Sequence, residues 1–216
     1  MLRGIDASMP TMAYISNLQA LEVSFVARYY TNLQRTRNPG KVLRPNEAHV
    51  LSQAGFSIVV VWELLDTPGY FSFDQGKDDG AYAYGYANGI IQQPENSSIY
   101  FSVDFDANQD QFRSSVVPYF QGVSEAFQEA SQGAPLYSIG VYGSGAVCAS
   151  LKQLGLARNS WVAQSRGWSG SAGYSDWQIQ QGPLVSHPPF ESDQDLAQED
   201  YGGFRLAFSG GPSSFV

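Results

Sequence analysis

Residues 56–63 read FSIVVVWE, and this run decides the fold. Ile58 to Val61 are four consecutive aliphatic residues with no polar position between them, so a strand made of them is buried on both faces. A strand covered on both faces belongs to a parallel sheet beneath helices rather than to a half-wet antiparallel one. The run stops at Glu63, a carboxylate that is hard to place as solvated surface beside so apolar a strand.

Working outward, seven more apolar runs share the pattern. They are LRGIDAS near the start, SFVARYY at 24–30, SIYFSVDFD at 98–106, YSIGVYGS at 137–144, SWVAQS at 160–165, DWQIQQ at 176–181 and a weaker SDQDLA at 192–197. Helical segments separate the first five. RPNEAHVLSQAG places Pro45 and Glu47 in a first turn and Gly55 at the end, as capping preferences ask. The longer DQFRSSVVPYFQGVSEAFQEAS carries Pro118, which predicts a kink or a late start. Later gaps shrink, and RGWSGSAGYS is too short and too rich in Gly and Ser for a full helix. Eight strands with mostly helical crossovers predict an α/β fold of the TIM-type (β/α)8 barrel, its last strands poorly supplied with helices. An open α/β sheet is the alternative.

The chain has 216 residues, enough for one sizeable core and short for two domains, so a single domain over 1–216 is expected. A net charge of −8 without a run of Lys and Arg lacks the phosphate-neutralising footprint of a nucleic-acid binder. Binding to anionic membranes is disfavoured on the same grounds, and no apolar run reaches the ~18 to 20 residues of a membrane span. MLRGIDAS reaches Asp6 before a signal-peptide apolar region forms, so export, if it happens, is expected to use another route or a signal outside this sequence. Cys148 is the single cysteine, which rules out an internal disulfide and a multi-cysteine metal site. His49 and His187 are the only histidines. No metal and no cofactor is expected, and GVYGSGAV lacks the spacing and the Lys of a nucleotide loop.

Barrel active sites form at the C-terminal ends of strands, so the residues that end the runs are informative. They are Asp6, Arg28, Trp62 and Glu63, Asp104 and Asp106, Tyr142, Gln164, Trp177 and Gln180, and Asp193 and Asp195. Asp6 either caps the following segment or faces the site. Asp104 and Asp106, at i and i+2, share a face ~6.6 Å apart if the strand continues through them; a metal site or a pair of loop caps is the other reading. Crowded carboxylates repel, so one keeps its proton near neutrality, as a general acid requires. Several acids without a neighbouring His or Cys point to glycosidic-bond chemistry. Trp62, Tyr142 and Trp177 offer faces for sugar rings, and Arg28, Gln164 and Gln180 offer hydrogen bonds. The same set could bind sugar without cleaving it.

The segments RGIDAS, VARYY, GFSIVVVWE, IYFSVDFD, IGVYGSGAVCASL, WVAQSRGW and WQIQQ followed by DQDLA resemble, in order and over nearly the whole chain, the Rv2525c-like glycoside-hydrolase-like domain, also called DUF1906. That family is similar to the GH25 lysozymes, whose barrel has five βα units and then three strands with little helix. The resemblance implies a bacterial cell-wall function in the periplasm or wall, with peptidoglycan as substrate and N-acetylmuramidase activity, in wall remodelling or as an antibacterial effector. Secretion machinery and an immunity protein are partners it leaves open. The fourth strand of the lysozymes ends in Asp-x-Glu, where the Glu is the acid; here the positions are Asp104 and Asp106. An Asp is one methylene shorter. The resemblance therefore implies Glu63 or Asp106 as the acid, with Glu63 preferred, and Asp104 as the group that stabilises positive charge. It also implies Asp6 as the group that holds the sugar or tunes the pair, and Asp195 on the floor of the site.

Overall fold

The computed structural model describes residues 1–187 and 190–207. Eight strands, β1 (Leu2–Asp6), β2 (Phe25–Tyr30), β3 (Ser57–Trp62), β4 (Ser98–Ser102), β5 (Ser138–Gly143), β6 (Asn159–Val162), β7 (Ile179–His187) and β8 (Phe190–Ala197), close into one barrel in chain order. Strands β1 to β7 are parallel neighbours, whereas β8 runs antiparallel to both β7 and β1. The fold is thus a TIM-type barrel whose last strand is reversed.

Helices fill the early crossovers: α1 (Ile15–Ala20), α2 (Pro45–Gln53), α3 (Phe73–Gly85), α4 (Gln109–Gln111), α5 (Val117–Ala130) and α6 (Gly145–Gln153). Their starts follow local chemistry. Pro45 opens α2, and Ser72 and Ser144 accept the Gln75 and Val147 amides at the starts of α3 and α6. Asn108 and Gln111 form a reciprocal capping box ahead of α4. From there the chain passes through a π-helical stretch, Phe112–Val116, so Pro118 falls in the first turn of α5, where its missing N–H costs nothing. Gly55, with φ +92, ends α2 as its position suggested. Between β6 and β7 there is only a short 3-10 turn, Ser171–Gly173. Among the described residues no helix is long and apolar enough to cross a membrane.

Alternation along the strands sorts side chains into two cores. Val26, Tyr30, Ile58, Val60, Trp62, Ile99 and Phe101 point outward and pack under the helices. Phe25, Ala27, Val59, Val61, Tyr100, Trp161, Ile179 and Ala197 point inward and fill the barrel. The inner fill needs glycine opposite its rings: a Cβ at Gly4 would lie 2.3 Å from the Phe25 ring, and one at Gly140 would lie 2.5 Å from Tyr100. Tyr201 closes the bottom, where Tyr100 donates to its carbonyl at 2.8 Å. The barrel is therefore filled by side chains below its C-terminal mouth.

Candidate active site at the barrel mouth

The inward positions become polar one step above Ala27, Val61 and Tyr100. Asp6, Tyr29, Glu63, Ser102, Asp104, Tyr142, Gln181 and Asp193 line a cavity of about 240 Å³ with Val61 and Trp161 at its base and Gln164 at its rim. Antiparallel pairing of β1 and β8 places Asp6 opposite Asp193 and Gly4 opposite Asp195, so the two β8 carboxylates stand one above the other beside Asp6. Asp195 is buried, and its Oδ1 accepts the Trp161 indole N–H at 3.0 Å. Five carboxylates, Asp6, Glu63, Asp104, Asp193 and Asp195, thus meet in and under one cavity. Among the described residues no three such groups are placed to hold a metal ion.

Burial and mutual charge set the protonation of these acids. Burial, reinforced by the charge of Asp193, pushes the Asp6 carboxyl up to about 7, and bonds from Gln181 (2.9 Å) and Tyr29 (3.4 Å) only partly offset it. Asp195 is held well above the usual carboxylate range by burial and by the charge of Asp6. Asp193 is raised by burial. Asp104 stands at the exposed rim, where partial burial and then the negative charges of Glu63 and Asp66 raise it, against the pull of Lys41. Glu63 forms an ion pair with the Lys41 ammonium, which also sits 4.6 Å above the Tyr29 ring. Tyr142 donates to Gln181 Oε1 at 2.9 Å, and the same amide group reaches Asp6 through its Nε2, so one glutamine links the two walls of the cavity.

The structure brings together Asp6, Glu63, Asp104, Tyr142, Gln164, Asp193 and Asp195 of the residues expected from sequence. It places five others elsewhere. Arg28 lies on the outward face of β2 and is fully buried, paired with Glu47 at 2.9 Å while donating to the carbonyls of Ala7 and Gly40. It ties the loop after β1 to α2 instead of meeting a ligand. Trp62 also points outward, 5.6 Å from the Tyr82 ring. Gln180 lines an adjoining cavity of about 410 Å³ along β1, β7 and β8, which shares Gln164 and Gln181 with the mouth and also touches Asp195. Trp177 precedes β7, whose first residue is Ile179, and lines a pocket with Met1 and Asp200 at the opposite end of the barrel. Asp106 fails the shared-face expectation because β4 ends at Ser102 and the chain bends at Phe105. Its carboxylate accepts from the amide (2.9 Å) and hydroxyl (3.2 Å) of Ser169, anchoring the loop between β6 and β7.

Sequence reasoning passed over Tyr29, Lys41, Trp161 and Gln181. Three of these were legible as lumen positions: Tyr29 and Gln181 are one residue from Arg28 and Gln180, and a one-residue step exchanges the faces of a strand. Trp161 lies inside an apolar run. Lys41 sits in a loop, where no periodicity marks it.

Carboxylates, amides and aromatic rings thus line the mouth of an eight-stranded barrel whose lower part is filled by side chains. The chain belongs to the family of Rv2525c-like, glycoside hydrolase-like domains, whose model matches residues 16–205. It is 35% identical over 165 residues to the Bacillus subtilis (strain 168) protein YbfG, itself uncharacterized, which covers 72% of this chain and 22% of YbfG. The chain thus spans about a fifth of that relative's length. The Mycobacterium tuberculosis Tat-secreted protein Rv2525c has a similar structure, with TM-score 0.72 and 18% identity over 94% of this chain and 98% of its own. The spore cortex lytic enzyme SleM of Clostridium perfringens superposes with TM-score 0.60 and 12% identity, covering 91% of this chain and 67% of SleM. A family 25 glycosyl hydrolase from Bacillus anthracis superposes with TM-score 0.50 and 11% identity over 94% of each chain. At these identities the structural likenesses establish the shared barrel.

Proposed function

We propose that the domain hydrolyses the glycan strands of peptidoglycan as an N-acetylmuramidase, in wall remodelling or wall lysis. The observation that carries this reading is the set of five carboxylates gathered at the mouth, four of them raised by burial, in a family of glycoside hydrolase-like barrels. The lytic and glycosyl hydrolase functions of the barrels that resemble it support the choice of a polysaccharide. Export of Rv2525c supports action outside the cytoplasm, in the periplasm or wall.

The roles follow from the pairings. Asp104, raised by its setting and exposed at the rim, is the group that donates a proton to the glycosidic oxygen. Glu63 is committed to Lys41 and serves as the fixed negative charge facing the positive charge that develops on the sugar. This reverses the division of roles expected from the family pattern, because Lys41 forms its ion pair with Glu63, whereas at Asp104 its pull is outweighed by burial and by the charges of Glu63 and Asp66. Asp6, bridged to Tyr142 through Gln181, positions the sugar ring.

One observation favours a second reading, a sugar-binding domain without hydrolysis: the second acid of the Asp-x-Asp motif is drawn out of the cavity to Ser169. Digestion of purified sacculi separates the two. The parent is expected to release reducing ends, with product masses ending in muramic acid, and Asp104→Asn and Glu63→Gln are expected to lower the rate ~10²- to 10⁴-fold while folding normally. Sacculus binding without release of reducing sugar by the parent establishes the second reading. Parent-like digestion by both variants overturns the assignment of the acids.

A further inference from the structure

Beside the mouth, the loop after β2 carries the sequence RTRNPGK, residues 35–41. Arg35, Arg37 and Lys41 line a groove of about 380 Å³ with Leu64 and Leu65, the two residues that follow Glu63, and no acidic side chain is among its lining residues. This concentration of cations is unexpected in a chain with 20 acidic and 12 basic residues. Arg35 and Arg37 are exposed, and neither forms an ion pair among the described residues, whereas Lys77, Lys152 and Arg158 all find carboxylates elsewhere on the protein. Leu65 is 52% exposed beside them. Lys41 joins the two cavities, lining the groove while pairing with Glu63 inside the mouth.

A groove with unpaired guanidinium groups and a bare leucine at its edge suits a short peptide that carries carboxylates between apolar side chains. A phosphate polymer would use the cations and leave the leucine wet. We propose that this groove binds the carboxylate-bearing peptide substituent of the glycan whose sugar backbone occupies the mouth, so that the domain reads the peptide as well as the sugar. This rests on the reading of the mouth as a peptidoglycan site and names a recognition element outside it.

The test is calorimetric titration of the whole chain with a muramyl disaccharide carrying a tripeptide with free carboxylates, and with the same disaccharide lacking the peptide. Two ion pairs of exposed strength predict about tenfold tighter binding of the peptide-bearing ligand in low salt, with the gain shrinking as salt is raised. Arg35→Gln with Arg37→Gln is expected to abolish the gain and leave the bare disaccharide unaffected, and reversal of both charges to Glu is expected to make the peptide unfavourable. Equal binding of the two ligands by the parent, or a gain that survives in both double variants, overturns the inference while leaving the sugar site standing. Failure of either ligand to bind overturns the sugar site and the inference together. Tighter binding of a glycerol-phosphate polymer than of the peptide-bearing ligand, abolished by the same variants, also overturns the choice of occupant.

Discussion

Asp6 should limit the stability of this domain above neutral pH. In the unfolded chain its carboxyl titrates at 3.8, whereas burial in the barrel raises it to about 7. The folded state therefore binds the proton more tightly, and between these values it holds more protons than the unfolded chain. Unfolding free energy then falls as pH rises through the window, at up to about 1.4 kcal/mol per pH unit, and below pH 4 the penalty vanishes because both states are protonated. A shift of roughly three units corresponds to about 4 kcal/mol of destabilisation at pH 8, an upper bound because the mouth admits water and the neighbouring acids titrate together. Asp6→Asn keeps the shape and an acceptor for Gln181 but carries no charge. The variant should be more stable than the parent at pH 8, by up to about 4 kcal/mol, with the gap narrowing to about 1 kcal/mol at pH 4.5. It should also relieve Asp195, whose own carboxyl is raised in part by the charge of Asp6. Urea unfolding followed by tryptophan fluorescence at half-unit steps of pH measures the difference directly. A gap between variant and parent that does not change with pH, or a variant less stable at pH 8 than at pH 4.5 relative to the parent, refutes the reasoning. The expected accompaniment is weaker handling of sugar, since a strained acid kept for function costs stability.

Three further outcomes follow from where other residues lie. Arg28→Gln leaves Glu47 buried without its cation and should cost about 3 to 5 kcal/mol in urea unfolding, a loss that a ligand-binding arginine on an exposed rim would not show. Asp106→Ala removes the anchor at Ser169 and should speed proteolytic cleavage between residues 166 and 173, while sacculus digestion stays within about threefold of the parent. Trp177→Ala, at the far end of the barrel, should leave glycan binding unchanged in titrations where Tyr142→Ala weakens it severalfold.

Much of the architecture was legible from local pattern. The aliphatic run Ile58–Val61 required cover on both faces, the capping signals at Pro45 and Gly55 bounded a helix, and the Gly- and Ser-rich segment after Trp168 was too short for another crossover. The reversal of β8 was not legible, because the alternation of side chains along a strand does not encode the direction in which it runs. Nor was the starting residue of β7, since Trp177 and Gln178 continue the alternation that the strand takes up only at Ile179.

At the site the division is finer. Strand-end acids pick out Asp6, Glu63 and Asp104 by themselves, because a carboxylate that follows apolar residues has few other places to go. The assignment of faces depended on register, and there a single residue decides the outcome: Arg28 against Tyr29, Gln180 against Gln181, Trp62 against Glu63. Sequence by itself thus determined an α/β fold of mostly parallel strands, with a barrel expected and an open sheet as the alternative, and the acidic character of its strand ends, since each follows from periodicity and from what burial permits. Only the tertiary structure decided which acids meet. The bend at Phe105 that sends Asp106 to Ser169, and the loop that brings Lys41 to Glu63, are both contacts between segments far apart in the chain. No local pattern encodes such contacts, because their free energy exists only once the barrel has closed.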